Sequence, residues 1–421
     1  MARTERSAGS RADSVRHFDR RALLTGGAVG VGLGGALGAL GALAGTGALG
    51  APGSSDASVA APDDAWFGAD TLPCHGTHQA GVTTPPGAHI RFVAYQLRPE
   101  VDAAALQRMF RVLTEDIEGL TSGESPLADP EPELAARPAR LTITVGVGAE
   151  LVNRVRPEQR PEWLAPLPAF SRDRLGAGYD GGDLLLIVQA DDTMPLAHAH
   201  RMLHRDLAGF ADPLWSQQGF RGARGADESG RTMRNLMGQV DGTVNPVPDD
   251  QDFDSLVWLD ADAGWLSGGS ALVLRRIRME LDTWDRVDRP GREASIGRRL
   301  SDGSPLSVAA GEGDEHTPAD FNAKNERGFP AIPVAAHIRR AHSSDPAERI
   351  FRRAANYDDG AESGLLFACY QRDPLAQFVP IQRRLDDADV LNEWVTHVGS
   401  SVFAVLPGFS TGQILGQSLF E

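Results

Sequence analysis

Residues 182–207 read Gly182-Asp183-Leu184-Leu185-Leu186-Ile187-Val188-Gln189, then a polar break, then Pro195-Leu196-Ala197-His198-Ala199-His200-Arg201-Met202-Leu203-His204-Arg205-Asp206-Leu207. The first eight residues form a short apolar run bounded by glycine and polar residues, the pattern of a buried strand. From Pro195 the apolar positions recur at helical spacing. The same alternation extends upstream, with strands over His89–Leu97 and Arg140–Val147 on either side of a helix over Asp102–Leu120. Downstream a second set follows: strands over Ser270–Met279 and Gly364–Gln371, a helix around Asp387–His397 and a last strand over Ser401–Leu406. Two similar-sized halves dividing between Pro246 and Trp265 predict an α+β fold of two ferredoxin-like domains, each an antiparallel sheet with helices on one face. The expected boundaries are 61–250 and 251–421, after a leader over 1–60. The stretch from Trp284 to Ala331 has little periodicity and reads as a functional loop wrapped around a ligand.

The chain has 421 residues and a formal net charge of −16, with Lys324 as its only lysine. An acidic surface repels phosphate backbones, which argues against nucleic acid as a partner. The two cysteines, Cys74 and Cys369, lie in no C-x-x-C, C-x-x-C-H or zinc-like spacing, so covalent c-type haem and structural zinc are both disfavoured. Cys369 sits in the apolar run Leu365–Tyr370 and reads as a free core thiol, with a Cys74–Cys369 disulfide as the alternative.

At the N-terminus, scattered arginines end in Arg20-Arg21, and Ala22–Ala51 then carries no charged residue. That order is an export signal, and its glycine-diluted apolar region favours a cleavable leader over a permanent anchor. Arg20-Arg21-Ala22-Leu23-Leu24 resembles the twin-arginine signal, whose route carries folded, cofactor-loaded proteins. Small residues around Ser58-Val59-Ala60 suit a cleavage site. The alternative is an ordinary secretory leader or an uncleaved anchor.

Walker, G-x-S-x-G, H-E-x-x-H and Rossmann patterns are missing, which removes several large enzyme classes. Three short constellations remain. In Gly238-Gln239-Val240-Asp241-Gly242-Thr243-Val244-Asn245-Pro246 the Asp-Gly and Asn-Pro pairs enforce a turn, and on residue type alone Asp241 is a turn aspartate. In Ala335-Ala336-His337-Ile338-Arg339-Arg340-Ala341-His342 a histidine stands between small apolar residues and two arginines; His342 competes with it on composition. In Arg349-Ile350-Phe351-Arg352-Arg353-Ala354-Ala355-Asn356-Tyr357 guanidinium and apolar groups alternate, the ordinary pattern of a solvated helix or strand face.

Taken in order, these segments resemble the dye-decolourising peroxidases, specifically their twin-arginine-exported bacterial branch, some members of which are linked to iron uptake. The family's G-x-x-D-G signature matches Gly238–Gly242, its proximal-histidine segment matches Ala336–Arg340 and its distal-arginine segment matches Arg349–Tyr357. Further likeness lies in His78–Val82, Trp265–Arg286, Leu365–Gln371 and Ala404–Gly408. Two departures occur: His342-Ser343-Ser344 where the branch has Asn-Pro-Arg, and Arg352-Arg353-Ala354 where it has Arg-Arg-Gly.

The resemblance implies two ferredoxin-like domains enclosing one noncovalent haem b, held mainly by the C-terminal half. It implies His337 as the iron ligand, Asp241 and Arg352 as the catalytic pair on the peroxide side, and Arg298, Arg339, Gly242 and Thr243 in the cofactor pocket. Hydrogen peroxide and a bulky organic electron donor, such as a dye, are the expected substrates, and the twin-arginine export machinery is an expected partner. Export to the envelope or the exterior follows from the leader. Tyr357, Tyr370, Trp284 and Trp394 are candidates to carry electrons to the surface, with plain core packing as the alternative for each. A second-sphere acid should orient His337, and Glu393 is the candidate. The competing functions are haem handling with iron release and no peroxide turnover, and chlorite decomposition on a similar fold.

Overall fold

Strand β1, His89–Leu97, alternates strictly enough to show how the architecture is built: Ile90, Phe92 and Ala94 face one side while Val93, Tyr95 and Leu97 face the other, as a period of two requires. Both sides are apolar, so the sheet must be covered on both. The computed structural model describes residues 67–228 and 230–421; the leader, with Arg20, Arg21 and the suggested cleavage site, lies outside them. After β1 come helix α1, Ala103–Ser122, strand β2, Thr142–Val147, strand β3, Leu184–Ala190, helix α2, Thr193–Leu207, and strand β4, Ala211–Phe220. The strand order β2-β3-β1-β4, antiparallel throughout, is that of a ferredoxin-like half. Asp102 and Asp192 cap the two helices by accepting from Ala105 N at 2.8 Å and Met194 N at 2.9 Å, which satisfies donors that the first helical turn leaves free.

The second half repeats the plan. Strand β5, Ser270–Met279, is followed by helix α3, Arg289–Ile296, helix α4, His337–Ala341, the short strand β6, Phe351–Arg352, strand β7, Ala355–Asp358, strand β8, Ser363–Gln371, helix α5, Phe378–Ala388, and strand β9, Val395–Val405. Here the order is β9-β5-β8-β7, with β6 also on β8. The halves join edge to edge. Gly146 and Val147 of β2 pair with Val405 and Ala404 of β9, and Phe220 of β4 pairs with Asn356 of β7. The result is a closed ring of strands with no free edge at either join. Phe92, Leu185, Trp215, Leu274, Leu366, Tyr370 and Phe403 fill the space between the halves, while α1 and α2 cover the outer face of the first sheet.

Three expectations need correction. The helix expected around Asp387–His397 ends at Ala388. Asp389 then caps a turn of 3-10 helix over Val390–Glu393 by accepting from Leu391 N, and β9 already begins at Val395. Thr396 and His397 pair with Arg278 and Ile277 of β5, so sheet pairing overrides their local helical pattern. The stretch from Trp284 to Ala331 is not wholly irregular, because Asp288 accepts from Gly291 N and starts α3. The segment around Arg352 is not a solvated face but strands β6 and β7. Cys369 is a free, buried thiol as its apolar run indicates, and Cys74 is free as well.

Asp116 is buried on α1, and it and Asp206 of α2 each leave one buried carboxylate oxygen without a donor. Burial, the hydrogen bond with Asp206 and that residue's charge push the Asp116 carboxyl up to about 7; a shared proton satisfies both groups. A carboxyl raised on folding is ionised in the unfolded chain before it ionises in the folded one, so stability falls as pH rises from about 4 to about 7. Asp116→Asn is expected to raise Tm by several degrees at pH 8 and to give no gain near pH 4, as read by thermal unfolding across that range.

Candidate active site

The turn at 232–246 is built by its own polar side chains. Asn235 Oδ1 accepts from Met237 N at 3.1 Å and Gln239 N at 3.2 Å, and Gly238 and Gly242 take φ values of +80° and +130°, a region in which side chains with a Cβ are strained. Arg234 ties the turn to the loop beyond α3 by donating to the carbonyls of Gly238, Leu300 and Ser301. This presents Asp241 with Asn235 Nδ2 at 3.3 Å from Oδ2 and Arg352 Nη1 at 3.1 Å from Oδ1. Asn245, in the same turn, clamps the backbone of Arg352: its Oδ1 accepts from Arg352 N at 2.7 Å and its Nδ2 donates to Arg352 O at 2.8 Å. Two residues 111 positions apart therefore become neighbours because one turn holds both the side chain of Arg352 and its main chain.

His337 opens α4. Its Nδ1 donates to Asp389 Oδ2 at 2.6 Å, which fixes the ring and leaves Nε2 as the free nitrogen. Burial lowers the imidazole's basicity, but the Asp389 carboxylate outweighs it, with help from Asp241 against Arg352, so the group titrates above its ordinary range. The charges of Asp241 and Arg352 both act on His337, so the three lie within electrostatic reach of one another. His337 keeps 31 % of its side-chain surface open.

The remaining expected residues fall as follows. Arg298 is buried, and its Nη1 donates to Gly303 O at 2.7 Å and Glu315 O at 3.0 Å while its Nε has no partner. The charge of Arg352 acts on it, so it stands on the Asp241–Arg352 side. Arg339 lies over the Phe321 ring at 5.2 Å and donates to the carbonyls of Ile332 and Phe321, which commits its fork to shaping the loop before α4. Gly242 and Thr243 follow Asp241 in the turn and are partly open. His342 is exposed with its ring against Phe321. Glu393 is exposed and is not the partner of His337; Asp389 is. Trp284 is fully buried, donates to Met237 O at 3.1 Å and packs edge-on against the partly open Trp394 at 5.1 Å. Tyr357 and Tyr370 are buried between the sheets. Asn235, Glu315 and Asp389 carry no sequence signal beyond their residue type, and Asn245 reads from the sequence only as part of a turn; the fold brings all four here.

Comparisons with known proteins identify the family. Residues 79–221 match the family model described as Dyp-type peroxidase, N-terminal, and residues 232–410 that described as Dyp-type peroxidase, C-terminal. The dye-decolorizing peroxidase of Thermobifida fusca is 37% identical over 443 residues, covering 99% of each chain. A deferrochelatase of Yersinia pestis is 32% identical over 389 residues, covering 85% of this chain and 86% of that protein. The crystal structure of a DyP-type peroxidase from Cellulomonas bogoriensis shares 49% identity at a TM-score of 0.80, covering 85% of this chain and 100% of that one. The chain belongs to the Dyp-type peroxidase family.

Asn245→Ala frees the backbone of Arg352 while leaving its side chain intact. It is expected to lower kcat for peroxide-dependent oxidation of a small phenol by about 10-fold, in line with the cost of small misplacements, with the donor KM little changed in steady-state assays and Tm lowered by a few degrees in unfolding assays.

Proposed function

We propose that the space between His337 and the Asp241–Arg352 pair holds haem b, with His337 as the iron ligand and the Asp–Arg pair working on hydrogen peroxide. The chain is a peroxidase, an oxidoreductase acting on hydrogen peroxide and oxidising bulky organic donors such as dyes, and haem is its cofactor. The observation that carries the residue assignment is the nearness of two groups: an imidazole braced through Nδ1 by Asp389 and, within electrostatic reach of it, an aspartate bound to an arginine. The residues present fit the group. A histidine whose Nδ1–H is held by a carboxylate offers Nε2 to a metal and is a stronger ligand for it, and part of the His337 side chain is uncovered. When bound, haem supplies a redox-active iron that takes two oxidising equivalents from peroxide and passes them on one electron at a time.

The protein's own contribution lies in protons and charge. Cleavage of the O–O bond requires one proton to move from the inner to the outer oxygen of peroxide, and Asp241 is the group placed to carry it. Negative charge builds on the departing oxygen, and the Arg352 guanidinium, fixed by Asn245 and Asp241, stabilises that charge without itself losing a proton. Asp389 holds His337 in one orientation throughout. The chain is exported by the twin-arginine route to the envelope or exterior; the paired Arg20-Arg21 ahead of an uncharged, glycine-rich stretch supports this. The deferrochelatase relatives favour a second reading, haem handling with iron release, but mere carriage needs neither Asp241 nor Arg352.

Stopped-flow mixing with peroxide, followed in the Soret region, tests the assignment. Arg352→Leu is expected to keep haem and slow the reaction about 100- to 1000-fold, and Asp241→Asn to slow it about 100-fold. Wild-type rates in both variants, with haem bound, would remove the pair from the chemistry and promote the second reading. His337→Ala is expected to lose the Soret band and His342→Ala to retain it.

Replacing both Arg20 and Arg21 by lysine is expected to leave folded precursor inside the cell. Normal export of that variant on fractionation would exclude the twin-arginine route.

A further inference from the structure

The loop at 169–174 and the C-terminal end of α5 enclose a surface cavity of about 450 Å³, and none of the residues assigned to haem or peroxide lines it. Its floor is tied to the second sheet. Phe170 is buried with the Arg275 guanidinium 5.6 Å over its ring, and Arg275, on β5, pairs with Asp173 and donates to Ser400 Oγ at 3.2 Å. One carboxylate joins the loop to α5: Asp386 accepts from Ser171 N at 2.8 Å, Ser171 Oγ at 3.0 Å and Arg172 N at 2.9 Å. Arg174 donates to the carbonyls of Ser171 and Asp173 at 3.1 and 2.7 Å. The cavity is therefore a built feature of ordered chain.

The guanidiniums of Arg172, Arg174 and Arg383 line it together with the carboxylates of Asp386 and Asp387. Both carboxylates are engaged, Asp386 by the loop and Asp387 by Arg340 Nη2 at 2.8 Å. Arg172 and Arg383 are exposed, and neither guanidinium has a hydrogen-bond or ion-pair partner among the described residues, although the charge of Arg172 acts on Asp386. The cavity is thus locally basic in a chain of net charge −16. Two links lead from it to His337. Asp387 holds Arg340, which follows His337 on α4 by about one helical turn. The charges of Asp386 and His337 both act on His397, a buried residue of β9.

Such a volume suits an organic molecule and not an inorganic ion. Guanidiniums pair bidentately with sulfonate and carboxylate groups and stack on aromatic faces, while the acidic surface elsewhere repels anions. We propose that this cavity docks an anionic aromatic electron donor, one bearing sulfonate or carboxylate groups, on the His337 side of the protein. The proposal rests on the peroxidase reading above. Each donor gives up one electron, so two donors and two protons reduce one peroxide to two waters and leave two donor radicals.

The test compares Arg172→Gln, Arg383→Gln and their combination with the haem-loaded wild type. The KM for a sulfonated aromatic donor is expected to rise about 3-fold in each single variant and about 10-fold in the double one, the scale of exposed charge contacts. Arg383→Lys is expected to restore most of the affinity. The KM for an uncharged phenol and the stopped-flow rate with peroxide are expected to stay at wild-type values. Calorimetric titration with naphthalene disulfonate, a redox-inert probe, is expected to show the same loss of affinity. Arg108→Gln, on the exposed face of α1, removes one charge far along the chain from the cavity and is expected to change nothing. The proposal is overturned if the KM of both donors moves equally, if neither moves, if Arg108→Gln matches the cavity variants, or if probe binding weakens while the KM stays put. A wild type that binds the probe but does not turn over peroxide overturns the reading of Asp241 and Arg352, and the donor role with it. Intact turnover with an unmoved KM overturns the docking site alone.

Discussion

Closure of the strand ring is the constraint from which the remaining structure follows. Two four-stranded sheets, each apolar on both faces, bury one face against each other and the other under helices and loops. The joins are short, two residue pairs on one side and one on the other, so the shared interior packing and not the edge hydrogen bonds holds the halves in register. Once the ring is closed, β6, β7 and β8 have only one place to lie. Arg352 on β6 then projects from the outer face of the second sheet, where the turn at 232–246 meets it.

That outer face is where apolar packing gives way to paired charge. Its two supports are polar clamps of different kinds. Asn245 holds the main chain of Arg352 through two hydrogen bonds, and Asp389 holds the ring of His337 through one short one. In a low-dielectric surrounding such bonds are strong and their loss leaves a buried group unsatisfied. They confine the reacting side chains to narrow positions. The loop from Gly297 to Ala336 closes over this region through backbone contacts from Arg234, Arg298 and Arg339, which explains why so long a stretch with little regular structure is nevertheless ordered.

Arginine does much of this work because a chain with one lysine has little other cationic material. Most of the guanidiniums act as struts, donating to carbonyls as in Arg234, Arg299 and Arg339. Arg276, between the rings of Tyr179 and Tyr357 and bonded to Gln217 and Glu362, shows how completely such a group is satisfied when its role is structural.

Much was legible in the sequence. The strands at His89–Leu97 and Ser270–Met279 and the helix of Pro195–Leu207 follow from apolar periodicity, which local chemistry and burial determine together. The α+β class follows from their alternation, and the ordered segments around Asp241, His337 and Arg352 carried the family resemblance. Partner choice was not legible. Asp389 rather than Glu393 holds His337 because the 3-10 turn after α5 directs one carboxylate inward and leaves the other in solvent, and the composition of Asp386–Glu393 does not distinguish them. The pattern at Asp387–His397 looks helical locally, yet ten residues of antiparallel pairing with β5 draw its second half into a strand. Such outcomes depend on contacts between residues 52, 111 and 120 positions apart, His337 with Asp389, Asp241 with Arg352 and Ile277 with His397, and only chain closure, which places those residues together, decides them.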